Sequence, residues 1–263
     1  MPRVAVNGVE LAYEEAGRGA PLVFISGTSV DRSIWGGQVD HFAPHHRCIT
    51  FDNRDVGESS AAAAPYGMRD LAADTAALLE ALDLPAAHVV GHSLGGAVAQ
   101  ELALLAPDRV RTITLVGSWA RNDAYSTSVF HAWKFMRTRL EQREFLEAFL
   151  LFGVGHTFLN IVGTEQLIGM FGALPHPQPA AAFCRQVDAD LGHDTLARLN
   201  GIGIPALVVA GEEDNIFKPH HHRALAEAIP GARLAILPAV GHTPPIESAK
   251  PFNRTLEEFL SQT

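Results

Sequence analysis

Hydrophobic and polar positions alternate from the first residues of the chain. Residues 4–6 and 9–13 flank Asn7-Gly8, the dipeptide that supplies the positive φ angles of a two-residue turn, and predict an antiparallel hairpin. Leu22-Val23-Phe24-Ile25 is a short continuous apolar run, the pattern of a strand buried on both faces. Strand patterns then alternate with helical ones. Residues 47–51, 88–90 and 112–116 read as strands; 68–84 reads as an amphipathic helix, and 94–105 as an apolar helix closed by Pro107. Two more strands are predicted at 206–210 and 234–237, followed by a last helix that starts near Glu247 or Ser248 and ends at Leu260. Strands separated by helices of this length imply parallel crossovers. The pattern therefore predicts an α/β fold: a mostly parallel eight-stranded sheet with helices on both faces and an antiparallel edge at its start.

Between Trp119 and about Asn200 the rhythm stops. This segment is rich in helix formers and holds Phe130, Phe135, Phe145, Phe149, Phe152, Phe158, Phe171 and Phe183. Eighty residues without a strand are too many for a loop inside a compact domain. They predict a helical cap, residues 119–200, inserted after strand six at the ligand-binding edge of a core formed by residues 1–118 and 201–263.

Composition narrows the class. Of 263 residues, 47% are hydrophobic and 19% charged, which excludes disorder. The net charge of −9 and the lack of a Lys/Arg cluster argue against nucleic acid as a partner. No signal-like run opens the chain, and no stretch approaches the ~18 apolar residues of a membrane helix, so a soluble, cytoplasmic protein with no membrane partner is expected. Cys48 and Cys184 make no disulfide framework. Monomer and homodimer both remain open.

The chemistry concentrates at Gly91-His92-Ser93-Leu94-Gly95-Gly96, directly after one predicted strand and before the apolar helix. A sharp strand-to-helix turn strains its central residue and admits only small residues two positions either side, here Gly91 and Gly95. It lifts the Ser93 hydroxyl towards the cleft and sets the Leu94 amide at a helix N-terminus, where negative charge is stabilised. A serine nucleophile needs a base, and His242 follows the last strand in an irregular loop, Pro238-Ala239-Val240-Gly241-His242-Thr243-Pro244-Pro245. The base needs an acid to orient it. After strand 206–210, Glu212, Glu213 and Asp214 compete; Asp214 is favoured because its short side chain turns back into the cleft, while the two glutamates face solvent. Asp123 is the outside candidate. The order Ser93, Asp214, His242 is that of acyl hydrolases built on a sheet of this kind.

On these motifs the chain resembles the α/β-hydrolase superfamily, in the small lid-bearing branch of carboxylesterases and enol-lactonases. The resemblance covers essentially the whole chain outside the cap. It implies an oxyanion hole made by the Leu94 amide and a second amide from the loop Ser26-Gly27-Thr28-Ser29, with Thr28 as donor and Gly27 allowing close backbone approach. Ser26 replaces the histidine common in relatives, which changes how the loop must be braced. Asp52-Asn53-Arg54-Asp55-Val56-Gly57-Glu58-Ser59 resembles a second family segment and is read as a structural brace, with a substrate contact by Arg54 as the minor alternative.

The expected activity is hydrolysis of a small, largely apolar ester or lactone by a carboxylic ester hydrolase. Gly27, Trp119, Trp133 and Phe217 are expected at the substrate. The alternatives are a hydrolase-fold small-molecule receptor or a non-hydrolytic member such as a perhydrolase, lyase or C–C bond hydrolase. No cofactor is expected, since no G-x-G-x-x-G follows the first strand. No metal is expected either: neighbours in His220-His221-His222 should point in different directions at a helix start, without an acid at ligand spacing.

Overall fold

The computed structural model describes residues 1–173 and 175–263. Eight strands form one sheet in the order β1-β2-β4-β3-β5-β6-β7-β8. The hairpin is β1 (Arg3–Val6) and β2 (Val9–Ala16), with Asn7 and Gly8 at φ 42° and 80° as the turn requires. β2 runs antiparallel to β4 (His46–Phe51). From there β3 (Ala20–Ile25), β5 (Ala87–His92), β6 (Val110–Val116), β7 (Ala206–Gly211) and β8 (Arg233–Leu237) are parallel. Every residue of β5 and β7 is buried, as expected where helices cover both faces.

Two apolar layers close over the sheet. On one face lie α1 (Gly36–Phe42) and α11 (Ala249–Leu260). Phe252, Leu256 and Phe259 of α11 recur at helical spacing and are buried, while Lys250, Arg254 and Glu258 face water. Each such burial is worth roughly 1.5–3 kcal/mol over exposure. On the other face lie α2 (Met68–Ala81), α3 (Leu94–Leu105) and α9 (Pro219–Ala228). Helix α3 is apolar nearly all round and is buried from Leu94 to Ala103, enclosed by the sheet and α2. The helix at 68 ends at Ala81, three residues earlier than its pattern predicted, because Asp83 takes φ 54° and breaks the turn. The chain pattern also gave no separate sign of α1, which is too short and glycine-led to show a periodic stripe.

Between β6 and β7 the chain is helical: α4 (Ala124–Arg139), α5 (Gln142–Gly153), α6 (His156–Val162), α7 (Thr164–Gly172) and α8 (Ala180–Leu191). Phe130, Phe145 and Phe183 join the core cluster on the α3 face, whereas Phe135 is exposed. The short helix α10 (Pro244–Glu247) follows β8 and precedes α11. Among the described residues, no helix is long and apolar enough to cross a membrane.

Candidate active site

The strand-to-helix turn after β5 is strained as its sequence requires. Ser93 has φ 54° and ψ −118°, a conformation that costs a non-glycine residue about 1–3 kcal/mol. The crossing is tight enough that a Cβ on Gly91 would collide with the Gly95 carbonyl, and one on Gly95 with the Ile25 carbonyl. The Ser93 amide donates to the Val116 carbonyl (2.8 Å), which anchors the turn to β6. Ser93 is thereby held at the C-terminal edge of the sheet, at the N-terminus of α3 and its positive dipole end.

His242 and Asp214 arrive from the ends of β8 and β7. His242 Nδ1 and Asp214 Oδ2 are 2.9 Å apart, and both residues are buried. The other carboxylate oxygen, Oδ1, accepts the Ile216 and Phe217 amides at 2.7 and 2.9 Å. Burial opposes charge on Asp214, yet the His242 and His222 rings beside it hold its carboxyl well below the usual carboxylate range. The rival acids are engaged elsewhere. Glu212 is exposed. Glu213 does not face open solvent as expected: it binds the amide and hydroxyl of Thr157 in α6 (2.9 and 2.6 Å). Asp123 caps α4.

Ser93, His92 and His242 line one cavity of about 220 Å³, together with Gly27 and Thr28 and a wall of Trp133, Phe145, Phe149 and Phe171. Most of this lining is apolar; Arg137, tethered to the Gln178 carbonyl (2.8 Å), brings a cation to it. A Cβ on Gly27 would stand 3.0 Å from His92 Nδ1 and 3.1 Å from the Ser93 Cβ, so any larger residue would press on the side chains of the turn. The Thr28 and Leu94 amides have no hydrogen-bond acceptor among the described residues. Ser26, in its unusual position, braces the loop by bonding to the Asp31 carbonyl and accepting from Trp35 Nε1.

Two of the residues expected at the substrate are not on the cavity wall. Trp119 and Phe217 are fully buried and stack on each other at 4.3 Å, with Phe217 5.8 Å from the His242 ring. Each follows a strand end closely, and there the chain turns inward beneath the helices instead of out towards the cleft. Arg54 forms a two-point pair with Asp74 (2.6 and 2.7 Å), and Arg32 joins Asp52, so the second family segment is a brace.

Three neighbours of the site escaped sequence reasoning. His92 Nε2 donates to the His242 carbonyl (2.9 Å), and burial together with the nearby His242 lowers its pKa to about 3, so the ring is neutral. Glu247 accepts the Gly241 and Thr243 amides on either side of His242, and the Gly155 amide from the segment between α5 and α6. His222 is fully buried, with Nδ1 3.1 Å from the Ser118 carbonyl and Nε2 3.5 Å from Asp214 Oδ2. Only Glu247 left a sequence trace, an acid five residues after the histidine; the other two act through contacts distant in the chain.

A family model for the α/β-hydrolase fold matches residues 20–146. A protein of Azorhizobium caulinodans named as a carbamate hydrolase is 30% identical over 265 residues, covering 100% of this chain and 99% of its own. The chain belongs to the α/β-hydrolase superfamily. Within it, a Mycobacterium tuberculosis protein named as a non-heme bromoperoxidase is 32% identical, covering 96% of this chain and 98% of its own. The crystal structure of the enol-lactonase from Burkholderia xenovorans LB400 superposes with a TM-score of 0.91 at 28% identity, covering 99% of this α/β hydrolase and 100% of its own chain.

Proposed function

We propose that this α/β hydrolase is a serine hydrolase that cleaves a small, largely apolar carboxylic ester or lactone through an acyl-enzyme at Ser93. The reading rests on one observation above all: a serine on a strained turn faces the same cavity as a histidine hydrogen-bonded to a buried, ionised aspartate. Ser93 Oγ attacks the carbonyl carbon as His242 Nε2 takes its proton; Asp214 fixes the ring with Nδ1–H towards itself and stabilises the imidazolium. The Thr28 and Leu94 amides hold the oxyanion. The carbonyl re-forms, the alcohol leaves with the proton from His242, and water activated by the same base releases the acid.

In this reading the helices between β6 and β7 are a cap, and residues 119–200 form a unit distinct from the core. It supplies Trp133, Phe145 and Phe149 to the cavity wall but no reacting group, so it selects substrate by apolar enclosure. The relatives named as carbamate hydrolases favour a second acyl class, since a carbamate carbonyl meets the same nucleophile and oxyanion hole.

Ser93→Ala tests the proposal. Turnover of a short p-nitrophenyl ester should fall at least about a thousandfold, and stoichiometric fluorophosphonate labelling of the wild type should vanish. Labelling at another serine, or none in the wild type, would remove the nucleophile from this account. A p-nitrophenyl carbamate assayed alongside the ester separates the two acyl classes.

A further inference from the structure

Away from the hydrolytic cavity, three side chains meet where the first turn of α9 packs on the N-terminus of α4. Asp123 caps α4: its Oδ1 accepts the Ser126 amide at 2.8 Å, which fixes the carboxylate. Its Oδ2 faces α9, with His220 Nε2 at 3.1 Å and His221 Nε2 at 3.2 Å. All three potential ligand atoms lie within 4.8 Å of one another. The expectation that neighbouring histidines diverge therefore fails for this pair, whose rings are 4.0 Å apart, and the acid comes from a position 97 residues earlier in the chain. His222 alone turns away, to Asp214.

The His221 ring supplies a second, independent observation. It is buried, and neither of its nitrogens makes a hydrogen bond. Its Nε2 is close to Asp123 Oδ2 but out of line for one. Such an arrangement is costly for a buried polar group and natural for two ligands whose lone pairs converge on a shared ion.

We propose that Asp123, His220 and His221 bind a divalent transition ion of the zinc class, which clips α4, at the start of the helical segment, to α9 of the core. With metal–ligand bonds of about 2.0–2.1 Å, the edges of a tetrahedron are ~3.3 Å, close to both observed nitrogen–oxygen distances. Two imidazoles and a single carboxylate favour zinc, cobalt, nickel or copper over calcium or magnesium, which prefer all-oxygen shells. His220 is exposed and the Asp123 side chain is 41% exposed, so solvent completes the coordination. The role is structural, because no ligand lines the hydrolytic cavity.

The test titrates metal-stripped full-length protein with Zn²⁺ by calorimetry and with Co²⁺ by visible absorption, and follows Tm with and without Zn²⁺. One ion per chain should bind and raise Tm. Asp123→Asn retains a helix-capping side chain, and His220 is exposed, so D123N and H220A should both fold; each should bind at least about tenfold more weakly and lose the Tm gain. H131A, at an exposed histidine outside the cluster, should behave as wild type. Failure of the wild type to bind either ion, or undiminished binding in D123N and H220A, overturns the site. Neither readout involves ester turnover, so the result is independent of the hydrolytic reading.

Discussion

Asp214 does several things with one carboxylate: Oδ2 meets His242, Oδ1 takes two amides, and a second histidine stands beside it. Replacing it with Asn keeps the shape but offers an amide N–H or a neutral oxygen where the imidazole needs an anion. Asp214→Asn should therefore fold normally and lose activity by roughly ten-thousandfold, the scale known for the equivalent change in a serine protease. Glu213→Gln and Asp123→Asn should cost far less, since neither carboxylate reaches His242. Steady-state rates on one model ester for the three variants decide it; a crippled D123N beside a near-normal D214N would reassign the acid. At this scale the residue types of the site were legible in the chain, because a glycine-flanked serine, a strand-end acid and a loop histidine each carry a local backbone signature. His92, His222 and the placement of Trp119 and Phe217 carried none. Their roles are set by what lies across the fold from them.

At the scale of elements, α8 is joined to the loops after β3 and β4 by buried and part-buried polar contacts. Thr28 Oγ1 donates to Asp190 Oδ2 (2.7 Å), the Ser29 amide donates to Gln186 Oε1 (2.9 Å), and Arg185 pairs with Asp55. Burial pushes the Asp190 carboxyl up to about 8, against the opposing Thr28 hydrogen bond, and its Oδ1 has no partner. In the unfolded chain an aspartate ionises near ~4. Between ~4 and about 8 the folded protein thus keeps a proton that the unfolded chain has released, and this group's contribution to stability is lost as pH rises through that window. Asp190→Asn, neutral at every pH, should remove that slope, so the Tm of the variant relative to wild type should be higher at pH 8 than at pH 5. A difference that does not change with pH would show Asp190 to be ionised in the folded protein throughout. The strands and long helices were readable from periodicity, whereas this polar seam was not: a glutamine, an aspartate and an arginine on a helix look like an ordinary solvated face until another element covers them.

For the whole molecule, Ser93, Asp214 and His242 follow the ends of β5, β7 and β8, whereas Trp133 and Phe149 of the cavity wall belong to the helices between β6 and β7. Trp133→Ala and Phe149→Ala should accordingly raise KM for long-chain p-nitrophenyl esters more than for the acetate, by about 1–3 kcal/mol per aromatic contact. A chain-length series on wild type and both variants measures this, and equal effects at every length would mean these rings only pack the segment. What the sequence determined by itself was whatever depends on near neighbours in the chain: the hairpin at Asn7-Gly8, the buried parallel strands, the strained turn at Ser93, and the break in rhythm after β6. These follow from backbone sterics and from the periodicity of apolar side chains, which are local. Tertiary structure alone decided which aromatic residues face the cavity, what Glu213 and Asp123 bind instead of His242, and where the three consecutive histidines point. Those outcomes depend on distances between elements far apart in the chain, as when Asp123 meets His220 across 97 residues, and no pattern of neighbouring residues encodes such a distance.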